Sequence, residues 1–351
     1  MTGIVDVGGW VAPAMELIYE QGTPAFRGQW PKIEALLELA ASRPAQGDWP
    51  HPALALPAEP SRRLRADAWG AAGAGGAEPG TPAGHGPVPA GVLHDNAPGR
   101  VAALDDAGVT LQLISPGPSI DAVLQLPANL GAGVFAAYNR YITAYTSAHP
   151  HRLGAVLQLH GSEPRWSAHE VAELRGEPSV RAVSVCLPVR ISPEDGHFDP
   201  LWTALEDADL PLLHRPALCA RIWSPARLLA YLESSGVLAR HPGLRVAFLD
   251  GSSGALDGLA GRLFVAAGAA ELRPVNAPGA ADRVWASDYP LRGALRSELE
   301  AARRALGPER AQEALVAAPA RFLGGQGAST GPSHDQRGKP SPEGTSSAER
   351  G

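Results

Sequence analysis

The stretch RVWASDYP (283–290) contains the most information about the fold of this 351-residue chain. A short apolar run ends in Ala-Ser-Asp-Tyr-Pro, which predicts a strand that delivers the carboxylate of Asp288 at its C-terminal end. Near the other terminus, IVDVGGW (4–10) also has the pattern of a strand that runs into a loop. Polar residues at such strand ends are typical of (β/α)8 barrels, because the chemistry of these barrels lies at the C-terminal ends of the strands.

Strand-like runs alternate with helical ones along the chain, which is the pattern of a parallel α/β fold. LFVAAG (263–268) is ambiguous and fits either a strand or a helix. Amphipathic periodicity predicts helices at 129–148, 225–235, 295–306 and 308–317. The predicted strands are 4–7, 109–115, 153–159, 180–187, 211–214, 244–249 and 283–286.

Two segments have the composition of irregular chain. Residues 67–99 are rich in Ala, Gly and Pro and predict a flexible insertion, since they contain no Gly-x-Gly-x-x-Gly between a strand and a helix. The tail at 326–351 is rich in Gly, Ser and Pro and is predicted to be disordered. The remainder of 1–325 predicts a single large domain.

The bulk composition narrows the class of protein. A net charge of −6 and the lack of a basic run argue against a nucleic-acid partner. No basic start precedes an apolar segment and no run approaches 18 apolar residues, so we predict a cytoplasmic protein without a membrane partner. Two cysteines, Cys186 and Cys219, do not make a disulfide framework.

Several segments together resemble the amidohydrolase superfamily, in particular its amidohydrolase-related decarboxylases of the aminocarboxymuconate semialdehyde decarboxylase type. Ser-Asp-Tyr-Pro (287–290) matches the close of that family's last strand. The resemblance implies a (β/α)8 barrel of metal-dependent hydrolase type, shortened around its seventh strand because Asp250 and Asp288 lie closer together than in the family. It also covers the helix and strand pairs at 100–118, 136–159, 198–216 and 234–256.

The family opens with Asp-x-His-x-His, whose two histidines hold a divalent metal, usually zinc. The matching positions in this chain are Asp6, Gly8 and Trp10. Glycine offers no ligand, and an indole offers only an N–H donor. Asp6 is expected to face the same way as Gly8, because residues two apart in a strand share a face. Trp10 is interpreted as a plug of the pocket, with a stacking surface for substrate as the alternative.

The family's third and fourth ligand positions are retained as His214 and Asp288, whereas Asp250 replaces the catalytic histidine after the sixth strand. Two ligands are fewer than the three that a catalytic zinc site needs, so we predict that zinc is bound weakly or not at all. All the matched positions are still expected to converge at one end of the barrel. Restoring histidine at positions 8, 10 and 250 is expected to raise the zinc affinity.

Other polar residues near predicted strand ends are weaker candidates. Arg190 and Arg215 follow strands, and either could hold a substrate carboxylate through two hydrogen bonds. His160 ends a strand and faces the pocket end, although a local hydrogen bond is the favoured interpretation. No partner arrangement makes Ser115 a nucleophile. The pair in His149-Pro150-His151 is interpreted as a solvated turn at the opposite face of the barrel.

Two hypotheses about function follow. The first is a decarboxylase or hydrolase of a small carboxylic acid, in which His214 and Asp288 bind metal or move protons and Asp250 stands in for the missing histidine. The second is a metal-free pseudoenzyme, which keeps the barrel and the family's homodimer and binds a small molecule or a partner. Because the family's usual chemistry needs the metal whose ligands are lost, these losses favour the second hypothesis. The fold alone does not decide between the two hypotheses.

Overall fold

The computed structural model describes residues 3–11, 13, 15–42, 96–116, 123–124, 126–187, 196–214, 223, 225–249, 262–268, 282–290 and 294–324. Within these ranges, eight parallel strands form one sheet in the order of the chain. They are β1 Val5–Val11, β2 Leu111–Pro116, β3 Leu153–His160, β4 Val180–Cys186, β5 Leu212–His214, β6 Val246–Leu249, β7 Leu263–Ala267 and β8 Asp282–Trp285. The two edges meet where Trp10 N donates to Tyr289 O at 2.8 Å. The predicted (β/α)8 barrel is confirmed.

Helices surround the barrel. In the described ranges they are α1 Met15–Glu20, α2 Pro24–Ser42, α3 Ala97–Ala107, α4 Ala128–Ser147, α5 Pro164–Leu174, α6 Asp199–Asp207, α7 Pro225–Ser234, α8 Val237–Arg240, α9 Leu295–Leu306, α10 Pro308–Gln312 and α11 Ala318–Phe322. Asn96 caps α3 by accepting from Gly99 N at 2.8 Å. Residues 97–99, which the predicted insertion included, are therefore helical. The rest of that insertion and the tail at 326–351 lie outside the described residues.

The seventh strand is present despite its ambiguous sequence. The segment 263–267 forms β7, which pairs with β6 on one side and with β8 on the other. The strand interpretation of LFVAAG is therefore confirmed over the helical one. The barrel keeps all eight strands even though the chain between β6 and β8 is short.

The strand residues alternate between two apolar clusters. One cluster fills the inside of the barrel and includes Val156, Leu213 and Ala286. Phe322 of α11 joins this inner cluster and covers the N-terminal end of the barrel. The other cluster lies between the strands and the surrounding helices and contains Phe248. Because side chains alternate along a strand, these clusters indicate which face each polar residue occupies.

β1 contains a bulge close to the expected metal site. Asp6 pairs with Gln112, but Gly9 pairs with Ile114, so β1 has one residue more than β2 over this interval. An extra residue of this kind bends a strand and reverses the alternation of its side chains.

The bulge separates Asp6 from the mouth of the barrel. Asp6 lies between two valines of the inner cluster and therefore points outward, towards the helices. Beyond the bulge, Trp10 pairs with Ser115 on the inner face of β2. The expectation that Asp6 faces the same way as Gly8 is wrong, because simple alternation does not hold across the extra residue.

Candidate functional site

The carboxylate of Asp6 ties three parts of the barrel together. Its Oδ1 accepts hydrogen bonds from Gly8 N at 3.0 Å and from Ser287 N at 2.9 Å. Its Oδ2 accepts from Gln112 Nε2 at 2.6 Å and from Ser287 Oγ. Burial raises the pKa of Asp6, and the four hydrogen bonds act in the opposite direction. Asp6 is therefore a brace between β1, β2 and the segment after β8, with its usual acceptor positions used.

Arg100 of α3 extends this brace. Its side chain is fully buried, and Nη2 donates to Trp10 O at 2.6 Å while Nη1 donates to Gln112 Oε1 at 3.2 Å. Its guanidinium carbon lies 4.8 Å from the ring centroid of Tyr289. Gln112 thus links a buried cation to the buried carboxylate of Asp6, which reduces the cost of burying both charges. Sequence analysis did not single out Arg100 or Gln112, because neither belongs to a motif.

Trp10 and Asp288 form the central contact at the mouth of the barrel. Trp10 Nε1 donates to Asp288 Oδ1 at 3.0 Å, across 278 residues of chain. The resemblance places Trp10 at the second metal-histidine position and Asp288 at the fourth ligand position. The indole N–H of Trp10 therefore occupies an oxygen of the carboxylate of Asp288, and the structure brings these two predicted site residues together.

The backbone of Asp288 has an unusual conformation. Its φ is 52°, in the left-handed region that residues other than glycine seldom adopt. The side chain is almost fully buried just beyond the end of β8, where the sequence predicted it. Such backbone strain costs about 1–3 kcal/mol and persists where the surrounding structure enforces it, often at functional sites.

Gly8 sits where β1 and β8 approach most closely. A Cβ atom at Gly8 would lie 2.6 Å from Ala286 Cβ and 2.9 Å from Ala286 Cα. Contacts this short do not occur in folded proteins, and one of them involves backbone. The first metal-histidine position of the family is therefore closed to any side chain in this barrel.

His214 ends β5, but its ring faces the helices. It shares a strand face with Leu212 of the outer cluster, and its ring centroid lies 5.9 Å from that of Phe248. Nε2 lies 2.8 Å from Trp223 O, and because a carbonyl only accepts, Nε2 carries the proton and donates. Burial lowers the pKa of His214 to about 4, against a smaller opposing effect of the Trp223 carbonyl. The ring is therefore neutral at physiological pH.

We expect His214 to make the fold sensitive to mild acid. The unfolded ring protonates near its ordinary pKa of 6.5, whereas the folded ring resists until about pH 4. Above pH 6.5 the ring is neutral in both states, and below it the unfolded chain takes up the proton first. The free energy of unfolding should fall by about 3 kcal/mol between pH 6.5 and pH 4 through this group.

Urea unfolding at several pH values measures this loss of stability. His214→Gln should remove most of the extra slope, whereas His197→Gln, at an exposed position, should retain it. A wild-type profile parallel to that of His214→Gln across this pH range would show that the ring does not carry the effect.

Three predicted site residues remain unplaced. Asp250, Arg190 and Arg215 lie outside the described residues, so their roles stay predictions. Within the described part of the chain, no three side chains of His, Cys, Asp or Glu lie close enough together to hold a metal ion. His214 and Asp288 are therefore the retained ligand positions that the structure describes, and each already has a hydrogen bond at one of its two coordinating atoms.

The sequence provides little indication of a group of buried polar side chains on β2 and β3. Ser115 Oγ, Gln158 Nε2 and both ring nitrogens of His160 are buried, and no hydrogen-bond partner for them occurs among the described residues. The local hydrogen bonds of His160 are made by its backbone, whose N–H and C=O both bond Ser167 Oγ. Gln158 gave no motif signal, because a single glutamine in an apolar run is unremarkable in a sequence.

Comparison with solved structures identifies the type of barrel. A 5-carboxyvanillate decarboxylase from Sphingomonas paucimobilis matches with a TM-score of 0.56 and 15% identity, over 92% of this chain and 99% of that chain. The chain shares the barrel fold of this decarboxylase. An amidohydrolase from Mycobacterium avium subsp. paratuberculosis K-10 matches with a TM-score of 0.55 and 17% identity, over 65% of this chain and 74% of that chain.

A 5-carboxyvanillate decarboxylase from Novosphingobium aromaticivorans DSM 12444 is also similar. Its structure contains manganese and 3-methoxy-4-hydroxy-5-nitrobenzoic acid, and it matches with a TM-score of 0.56 and 12% identity, over 92% of this chain and 97% of that chain. Neither a known family model nor a curated protein matches the sequence. The resemblance inferred from the sequence is thus confirmed at the level of the fold. Among the described helices, none is long and apolar enough to cross a membrane.

Proposed function

We propose that this chain is an amidohydrolase-type barrel that binds a small carboxylic acid at its C-terminal mouth without a resident metal ion. The hydrogen bond from Trp10 Nε1 to Asp288 Oδ1 is the observation that carries the proposal. A metal ion bound to that oxygen in the family's way would have to displace the indole, and the indole has no lone pair with which to join the metal. The closed position at Gly8 supports the same conclusion, because it removes a second ligand.

The acid is proposed from the relatives. The Novosphingobium decarboxylase was solved with a substituted benzoic acid, and it shares the fold of this chain over nearly its whole length. We therefore propose an aromatic carboxylic acid as the ligand class, with Trp10 as its stacking surface. Arg190 and Arg215 stay candidates for its carboxylate. A homodimer and a cytoplasmic location stay predictions.

A second candidate function is a decarboxylase or hydrolase that works through acid/base chemistry. The position of Asp288 favours it, because backbone strain of this kind often occurs at functional sites and the hydrogen bond from Trp10 Nε1 orients the carboxylate at the mouth of the barrel. In this version Asp288 would move a proton with Asp250 as its partner, because the ring of His214 faces the helices. No step of this chemistry requires the metal whose ligands are replaced.

The test combines metal content with ligand binding. We expect protein purified without a chelating column to contain much less than one equivalent of zinc or manganese. Calorimetric titration should show benzoate binding with the same dissociation constant before and after dialysis against EDTA. Near-stoichiometric metal that is lost in His214→Ala together with benzoate binding would contradict the proposal.

The same samples distinguish the second candidate. Release of carbon dioxide from 5-carboxyvanillate, insensitive to EDTA and abolished in Asp288→Asn, would establish turnover by an acid/base route. Binding without release would support the non-catalytic barrel. Glu309→Gln, an exposed substitution at the start of α10, serves as the control for both measurements.

A further inference from the structure

A surface groove lies at the N-terminal end of the barrel, away from the mouth, and its two sides are formed by α9 and α10. Its volume is about 440 Å³, and small-molecule sites typically measure about 300–1,000 Å³. We propose that this α9–α10 groove binds a small amphipathic carboxylate, that is, one acid group on an apolar chain. The site is separate from the mouth, and the inference does not depend on the proposed function.

Ile4 fixes the position of the groove in the fold. It lines the groove and directly precedes β1, so the groove lies at the end of β1 that is away from Trp10. Ile4 and Trp10 are six residues apart (10 − 4) in an extended segment, which corresponds to about 20 Å. A small ligand in the groove therefore does not reach Trp10 or Asp288.

Most of the lining of the groove is apolar. The apolar residues come from the start of β1, from α10 and from the turn that follows α10, and they are Ile4, Pro308, Ala311, Leu315 and Val316. Leu315 and Val316 belong to the outer cluster, so the floor of the groove is continuous with the packed interior. An apolar chain that covers this floor is removed from water, which favours binding.

The charged part of the lining is positive. Arg303 and Arg304 come from the last turn of α9 and Gln312 from the end of α10, and no acidic side chain of the described residues lines the groove. A guanidinium binds a carboxylate through two parallel hydrogen bonds, which are stronger than those between neutral groups. Two arginines beside an apolar floor therefore select an anionic head group on an apolar chain.

Both arginines are available to a ligand. Arg304 Nη1 lies 3.8 Å from Glu300 Oε2, and both side chains are more than half exposed. An exposed ion pair of this kind contributes little to stability, so Glu300 is only a weak competitor for Arg304. The side chain of Arg303 has no hydrogen bond or ion pair with another described residue. A carboxylate can pair with both guanidinium groups without breaking a strong contact.

A π-helical turn forms one wall of the groove. The turn spans Glu313–Ala317 between α10 and α11, and it supplies Leu315 and Val316 to the lining. Such turns are rare in proteins and frequently occur at functional sites, so this turn is a second and independent indication of a binding site. Glu313 pairs with Arg321, so the acidic residue of the turn is engaged away from the groove.

Calorimetric titration of the full chain with octanoate, and separately with benzoate, tests the groove. We expect the wild type to bind octanoate, and octanoate to raise its Tm, because a ligand that binds only the folded state stabilises it. Gln312→Glu keeps the size of the side chain and adds a negative charge, so it should weaken octanoate binding at least about 10-fold. The double variant Arg303→Gln with Arg304→Gln should weaken it at least as much, because both charged donors are lost.

The controls separate the groove from the mouth and from a general effect of charge. The three substituted positions are exposed, so each variant should fold, and its benzoate binding should equal that of the wild type. Arg175→Gln is the matched control, because Arg175 is an exposed arginine just beyond α5 that does not line the groove. It should leave the octanoate affinity unchanged. Octylammonium, with the opposite charge on the same chain, should bind at least about 10-fold more weakly than octanoate.

Every other outcome overturns the inference or a stated part of it. Octanoate binding that is absent in the wild type, or equally tight in Gln312→Glu and Arg175→Gln, overturns the groove and leaves the proposed function intact, because benzoate is measured separately. Equal affinities for octanoate and octylammonium overturn the selection of a carboxylate by the arginines. Tighter binding of acetyl-leucyl-leucine than of octanoate would assign the groove to the C-terminus of a peptide instead.

Discussion

Asp6→Ala is expected to lower the free energy of unfolding by about 3–5 kcal/mol, one of the largest effects of a single substitution in this chain. The carboxylate accepts four hydrogen bonds from β1, β2 and the segment after β8. Removing it leaves all four donors buried, each of which costs about 1–3 kcal/mol when unpaired, reduced where water enters the space. It also leaves Arg100 without the anion that Gln112 connects to it.

Urea unfolding measures this cost, with Asp199→Ala as the control. Asp199 forms an exposed ion pair with Arg240 at 2.7 Å, and exposed pairs contribute about 0–1 kcal/mol. The cost of Asp6→Asn should lie between those of Asp6→Ala and Asp199→Ala. The amide keeps one acceptor oxygen, but it presents N–H groups to the donors that bonded the other oxygen. Equal costs for Asp6→Ala and Asp199→Ala would mean that the brace does not stabilise the barrel.

The barrel itself was predictable because its signals are local. Apolar runs of strand length alternate with amphipathic helices, and this pattern predicts a parallel barrel without any knowledge of contacts. β7 was ambiguous because LFVAAG is short and rich in alanine, which fits helix as well as strand. Its pairing with β6 and β8 decides the matter, and pairing is a tertiary property that propensity does not contain.

The site was predictable only in part, because it depends on contacts between distant residues. Position matching selected Trp10 and Asp288, but their hydrogen bond spans 278 residues and has no local signal. The opposite directions of Asp6 and Trp10 depend on a bulge between them, and a bulge adds one residue without any marker in IVDVGGW. His214 was matched by position, whereas its contact with Trp223 depends on the chain that follows β5.

The triple substitution Gly8→His, Trp10→His and Asp250→His is expected to destabilise the barrel without creating a tight zinc site. This reverses the expectation from the sequence, which treated the lost histidines as independent positions. A Cβ atom at Gly8 would lie 2.6 Å from Ala286 Cβ and 2.9 Å from Ala286 Cα, and a histidine adds a ring beyond it. Overpacking against backbone typically costs about 1–3 kcal/mol and sometimes more.

Gly8→Ala isolates the steric part of this argument. It should lower the free energy of unfolding by about 1–3 kcal/mol, because Ala286 cannot withdraw without moving β8. Gly28→Ala is the matched control, since no atom lies within 4 Å of its added Cβ and its position in α2 should favour alanine by about 0.5–1 kcal/mol. In urea unfolding, Gly8→Ala is therefore expected to lower the free energy of unfolding, whereas Gly28→Ala is expected to raise it.

Zinc titration of the triple variant and of the double variant Trp10→His with Asp250→His then tests whether the metal site can be rebuilt. We expect the triple variant to bind zinc no more tightly than the double variant, because the ligand added at position 8 cannot reach the mouth while β1 and β8 remain in contact. A stably folded triple variant with much tighter zinc binding would show that the two strands can separate. In that case the close approach of β1 and β8 at Gly8 would be a consequence of the missing histidine at position 8. The barrel would then retain the capacity to hold the metal that its relatives use.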